Sequence, residues 1–138
     1  MPNLRIPPQS SEAERAVLGA CILSKEALGN VLEILKPGDF YDPNNKAAYE
    51  VLMNMYVENK PVDALTVSEE FKHRGIFERL GGQPYLAELI SLVTSTANAG
   101  YHAEIIKERA IKRRLIEAGN KIINLSYQEE TTSQEIIE

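Results

Sequence analysis

The stretch from Gly100 to Tyr127, GYHAEIIKERAIKRRLIEAGNKIINLSY, decides the architecture. It contains no Pro and, after Gly100, a single Gly at position 119, so nothing interrupts a helix from about Gly100 to Leu125. At roughly 25 residues, that helix is about twice the usual length of ~11 to 12. Ile111, Leu115, Ala118, Ile122 and Leu125 recur at intervals of 4, 3, 4 and 3, the seam pattern of a helix packed lengthwise on another helix. At ~100° per residue, Ile105, Ile116 and Ile123 form a second stripe some 120° from the seam. A helix with two apolar sides either buries both in its own chain's core or offers one to another chain.

Beyond Leu125 the chain reads as the return arm of a hairpin. Ser126 to Thr131 is a turn, and Thr132 with Glu135 has the spacing of a capping box. Ile136-Ile137-Glu138 then carry the new helix for one turn only, which suggests a fragment of a longer protein. Residues 99–138 are therefore expected to be a helical hairpin truncated in its second arm.

Upstream, residues 1–98 read as a compact multi-helix orthogonal head, giving an all-α chain. Pro8 bars helix before it, and Ser10 or Ser11 caps a first helix, with Ser11 and Glu14 at capping-box spacing. Ala13, Val17, Ala20, Cys21 and Leu23 or Ser24 line one side of that helix, and Ser24 starts a second, with Leu28, Val31, Leu32 and Leu35 as its apolar face. Asp42-Pro43 opens a third, buried through Ala48, Val51, Leu52, Met55 and Tyr56. Thr66 and Glu69 suggest another capping box, with Lys72, His73 and Arg74 in the last turn and Gly75 closing it. Gly81-Gly82 is a turn, and Gln83-Pro84 opens a helix with Leu86, Leu89, Ile90 and Val93 inside. The polar run Thr94 to Asn98 separates head from hairpin, with Asn98 as the candidate cap.

Composition narrows the function. With 138 residues, 43% hydrophobic and 25% charged, the chain can bury one ordinary core. No apolar stretch approaches the ~20 residues that span a bilayer. Met1 to Gln9 lack a signal-peptide pattern and Cys21 is the sole cysteine, so a reducing cytoplasm is the expectation. The net charge of −5 disfavours a stand-alone module that neutralises nucleic-acid phosphates. That charge divides into −4 over residues 1 to 100, +3 over 101 to 125 and −4 over 126 to 138. The Lys112-Arg113-Arg114 cluster is expected to be a solvated face neutralising the acidic second arm. The alternative is a helical DNA-binding module gripping phosphate with the Lys107–Lys121 basic face. Its would-be recognition helix, Pro84 to Val93, has no Lys or Arg to read base edges.

No catalytic set is evident. Gly75 to Gly82 lacks the Lys of a phosphate-binding loop, His73 and His102 fit helix ends, and Cys21 lies on an apolar face without a basic partner. No catalytic, cofactor-binding or metal-binding residue is expected in this segment.

Against that background, Ile6-Pro7-Pro8-Gln9-Ser10, Glu12-Ala13-Glu14 and Ala16-Val17-Leu18-Gly19-Ala20 resemble the opening of the bacterial DnaB-type hexameric replicative DNA helicases. The likeness continues through Asp39-Phe40-Tyr41, Pro61-Val62-Asp63, Gly81-Gly82 with Tyr85-Leu86, and Arg113-Arg114-Leu115-Ile116. It implies an amino-terminal domain that precedes the motor: a head and hairpin forming a collar, a trimer of dimers, on the ring. It implies self-association through Ile111, Leu115, Ala118, Ile122 and Leu125, and docking of the primase carboxy-terminal helicase-binding domain at Glu12, Tyr85, Ile116 and Ile122. The parent would unwind DNA with ATP and Mg held beyond Glu138, and DNA would be met only through the parent ring.

Overall fold

The computed structural model describes residues 5–137. Its helices are α1 (Ser11–Leu23), α2 (Lys25–Ile34), α3 (Pro43–Val57), α4 (Ala64–His73), α5 (Phe77–Leu80), α6 (Gly82–Ser91), α7 (Ala99–Ser126) and α8 (Ser133–Ile137). Short 3-10 turns lie at Pro37–Asp39 and Thr96–Asn98, and there is no strand among the described residues. The chain is all-α, as the sequence indicates. Glu138, the last residue of the expected second arm, lies outside the described residues, as do Met1 to Leu4 of the leader reading.

The head is built around α1, which packs against α2, α3, α6 and α7. Its expected single apolar side is too narrow a reading. Ala13, Val17, Ala20 and Cys21 are buried, and so are Ala16, Leu18, Gly19 and Ile22, whereas Leu23 is exposed. Small residues make this enclosure possible: the Gly19 backbone lies directly against the Leu89 carbonyl of α6, with no room for a side chain between them.

Local capping fixes where each helix starts. Ser10 caps α1 by accepting from the Ala13 N–H at 3.2 Å. Ser24 ends α1 and caps α2 through the Ala27 N–H at 3.1 Å. Asp42 caps α3 through the N–H groups of Asn44 and Asn45, with Pro43 in the first turn. The capping box of α4 is one turn earlier than the Thr66–Glu69 spacing suggests. The Thr66 N–H donates to Asp63 Oδ1 at 2.8 Å and the Asp63 N–H to Thr66 Oγ1 at 2.9 Å. Asp63 is the stronger cap because its carboxylate faces the positive end of the helix. Gly75, at φ +72°, closes α4, and the four-residue α5, absent from the sequence reading, fills the gap before Gly81. Asn98 precedes α7 without a side-chain capping bond, and Ser95 caps the preceding turn instead.

The long helix is real and longer than expected, at 28 residues. It enters the head core through a third stripe, Ala99, Ala103, Ile106 and Ala110, all buried. Neither of the two stripes read from the sequence is in this core.

Candidate interaction surface

Why the apolar contact of α7 with the head ends at Ala110 is explained by its own sequence. At ~100° per residue, Glu117, Lys121 and Asn124 continue the face that Ala103 and Ala110 begin. These polar residues cannot extend an apolar contact, so the helix runs on with its other faces open. Along the seam, Ile111 is 41%, Leu115 65% and Ile122 51% exposed, Ala118 is exposed and Leu125 half-buried. On the second stripe, Ile116 and Ile123 are 50% and 55% exposed. Large apolar side chains repeated along one element are the mark of a contact surface.

The other candidate residues fall around this helix. Glu12 is exposed at the start of α1 and lines a groove of about 370 Å³ with His102 and Ile105 of α7. Ile116 lines another, of about 380 Å³, with Ile6, Pro7, Phe40, Tyr41 and Arg113. Tyr85 is half-buried, and its hydroxyl donates to Asn45 Oδ1 at 2.8 Å. Burial pushes that phenol above its ordinary range, so it stays a neutral donor.

Tyr85 belongs to a polar network that sequence reasoning misses. Glu14 does not serve a capping box; its buried carboxylate accepts from the N–H groups of Tyr41 (2.7 Å) and Asp42 (3.3 Å) and from Asn45 Nδ2 (3.0 Å). It thereby ties α1 to the start of α3, and through Asn45 to α6. The available signal is a Glu flanked by Ala13, Ala16 and Val17 on a buried helix.

Two of the three residues of the basic cluster, Arg113 and Arg114, also have a different partner from the one expected, while Lys112 is exposed. Arg114 and Lys107 pair with Oδ1 and Oδ2 of Asp39, the latter at 3.1 Å, and Asp39 is wholly buried. Arg113 donates to the carbonyls of Asp39 (2.8 Å) and Pro8 (2.7 Å) and stacks over the Tyr41 ring, while Arg109 donates to the Gln9 carbonyl at 3.0 Å. These charges are directed at the head, not at the acidic second arm. The same contacts weaken the Lys107–Lys121 grip on DNA, since Lys107, Arg113 and Arg114 are already engaged. Burial raises the Asp39 pKa, but the Lys36 N–H, Arg114 and Lys107 together outweigh it and hold the carboxyl below its usual range.

Cys21 is buried, and desolvation raises its thiol to about 12, which leaves it without thiolate character. Among the described residues, no group of three or more His, Cys, Asp or Glu could hold a metal ion, and no helix is long and apolar enough to cross a membrane.

Residues 6–108 match the family described as DnaB-like helicase N-terminal domain. The chain belongs to this family. Over 123 residues it is 47% identical to the replicative DNA helicase DnaB of Mycobacterium leprae, covering 89% of this chain and 20% of that protein. It is 41% identical over 126 residues to DnaB of Leifsonia xyli, covering 91% of this chain and 28% of that protein. The chain thus spans between a fifth and a third of these DnaB relatives. The crystal structure of the N-terminal domain of DnaB helicase from Mycobacterium tuberculosis superposes with a TM-score of 0.88 at 45% identity, covering 96% of this chain and 93% of that one. The N-terminal domain of DnaB helicase from Helicobacter pylori, described together with its interactions with primase, shares the fold at a TM-score of 0.70 and 24% identity, covering 85% and 91%.

Proposed function

We propose that this DnaB-like N-terminal domain is a collar module of a bacterial, cytoplasmic replicative helicase, joining subunits through α7 and docking primase. The observation that carries the reading is the seam Ile111, Leu115, Ala118, Ile122 and Leu125, exposed at all but the half-buried Leu125, on a helix whose first half is locked into the head. Pairing of that seam with a neighbouring subunit covers it, as helix–helix packing at 4, 3 spacing does. In the parent ring these pairs form a trimer of dimers. Primase, through its carboxy-terminal helicase-binding domain, takes the surface around Glu12, Tyr85, Ile116 and Ile122. The domain needs no cofactor of its own; ATP and Mg belong to the motor, where DNA unwinding takes place. Its contribution is geometric, holding subunits in register and recruiting a partner.

Analytical ultracentrifugation of the chain, alone and with the carboxy-terminal domain of primase, tests this. Concentration-dependent self-association and co-sedimentation with primase are expected, the latter weakened by Ile116→Ser. A strict monomer that never binds primase overturns the assignment.

A further inference from the structure

The tie between α7 and the head has two parts of different chemistry. The apolar part ends at Ala110 and uses three alanines and the fully buried Ile106, packed against α1 and α2. The polar part begins at Lys107 and ends at Arg114. These two residues, seven apart, lie within about 20° of each other on the helix. Both converge on one carboxylate, Asp39, which is fully buried, while Arg113 donates to the carbonyl of that same residue. The head end is firmly held: the Lys36 N–H donates to Asp39 Oδ2 at 2.8 Å and closes the Pro37–Asp39 turn. From α7 outward, however, the clamp is open, because the Arg114 side chain is half exposed.

We propose that Asp39 is a charge latch that sets the orientation of α7, and of the seam it carries, relative to the head. With the carboxylate ionised and both cations seated, α7 is held in one orientation. Without the charge, the apolar contact through Ala110 and the bonds of Arg109 and Arg113 to backbone carbonyls remain, but the fixed point at Arg114 is lost, and the part of α7 beyond Ala110 samples further orientations while the head core stays folded. The other titratable groups near Asp39 do not substitute for it. Tyr49 on α3 donates its hydroxyl to the Leu35 carbonyl and, like Cys21 on α1, is held neutral by burial. Because the latch concerns how the seam is presented and not what covers it, it stands apart from the primase and collar reading.

The test is a distance measurement by pulsed electron paramagnetic resonance. Spin labels are placed at Val57 on the head and Tyr127 at the end of α7, both strongly exposed, in a Cys21→Ala background. Dilute protein keeps the chain monomeric. The parent background is expected to give one narrow distance distribution at neutral pH. Asp39→Asn, which keeps the shape and removes the charge, is expected to add a displaced second population with helical circular dichroism unchanged. Lys107→Gln with Arg114→Gln removes the cations from the other side and is expected to do the same, which covers the case in which Asp39→Asn fails to fold. A folded variant of either kind whose distribution superposes on the parent overturns the proposal. So does broadening that appears equally in the control Lys72→Gln, which lies on α4 away from the latch.

Discussion

Gly19→Ala should destabilise this domain even though alanine is the better helix former. Helix propensity alone favours Ala over Gly by about 1 kcal/mol. At position 19, however, a Cβ would stand 2.0 Å from the Leu89 carbonyl oxygen, 2.7 Å from its carbon and 2.7 Å from Val93 Cγ2. An ordinary C–H···O approach is about 3.3 Å, so α1 and α6 must separate by roughly 1.3 Å. The obstacle is main chain, which cannot rotate away, and separation loosens Leu86 and Leu89 against the core. Overpacking of this kind costs about 3 kcal/mol, leaving a net loss near 2 kcal/mol after the propensity gain. For a chain of this size that is a fall in Tm of roughly 7 °C. Two other helical glycines serve as controls under the same thermal melt. Gly119→Ala meets nothing within 4 Å and should raise Tm by roughly 3 °C. Gly29→Ala meets only the outer end of the Tyr56 side chain, its hydroxyl at 2.8 Å and the ring carbons behind it, which can move aside, and should change Tm little. A Gly19→Ala protein as stable as the parent would show that the approach of α1 to α6 is not what holds the head together.

Leu115→Ala combined with Ile122→Ala should leave the unfolding free energy of the dilute chain within about 0.5 kcal/mol, as for surface positions, while abolishing concentration-dependent sedimentation. Were both side chains buried within the chain, urea melts would show a loss of roughly 2 to 5 kcal/mol each. Glu14→Ala strips three donors of their acceptor in a buried site and should cost about 3 kcal/mol or more in a urea melt, with Glu14→Gln recovering part of it. The Asp39 pKa is depressed in the folded state, so its contribution to stability is present above the unfolded value of about 4 and is lost as pH falls through the folded value. Urea midpoints followed from pH 7 to 3 should show that loss in the parent, and a flatter profile in Asp39→Asn.

Helix punctuation is legible in the sequence because it is local. Ser24, Asp42-Pro43 and Gly75 act within three or four residues, and each does what its chemistry dictates. The capping box of α4 is harder to place, because the Thr66-to-Glu69 pattern competes with the nearer Asp63–Thr66 pair that forms it. The length of α7 is also legible, but its buried face is not. A search for large apolar residues is drawn to the more numerous Ile and Leu of the other two faces, whereas the contact with the head uses Ala99, Ala103 and Ala110 around a single large residue, Ile106. The seam and second stripe are visible as stripes; their exposure needs the head to be in place. Periodicity never reaches the ties across long separations. Arg113 meets Pro8 at 105 residues' distance, Arg114 meets Asp39 at 75, and Tyr41 meets Glu14 at 27. Local charge counting assigns the basic cluster to the nearest acids in sequence, and the fold brings a different one to it.

The hold that α7 has on the segment before α1 is of an unusual kind. Arg109 and Arg113 take the carbonyl oxygens of Gln9 and Pro8, groups that every amino acid supplies. The clamp therefore reads the path of the chain and is indifferent to its side chains. Substitutions at Pro8 and Gln9 that keep the backbone extended leave the grip intact. A change at one arginine frees the carbonyl that it holds, whatever precedes α1. The side chains along that extended segment, such as the exposed Ile6, are in consequence free to vary for other purposes while the backbone on which they ride stays in one place.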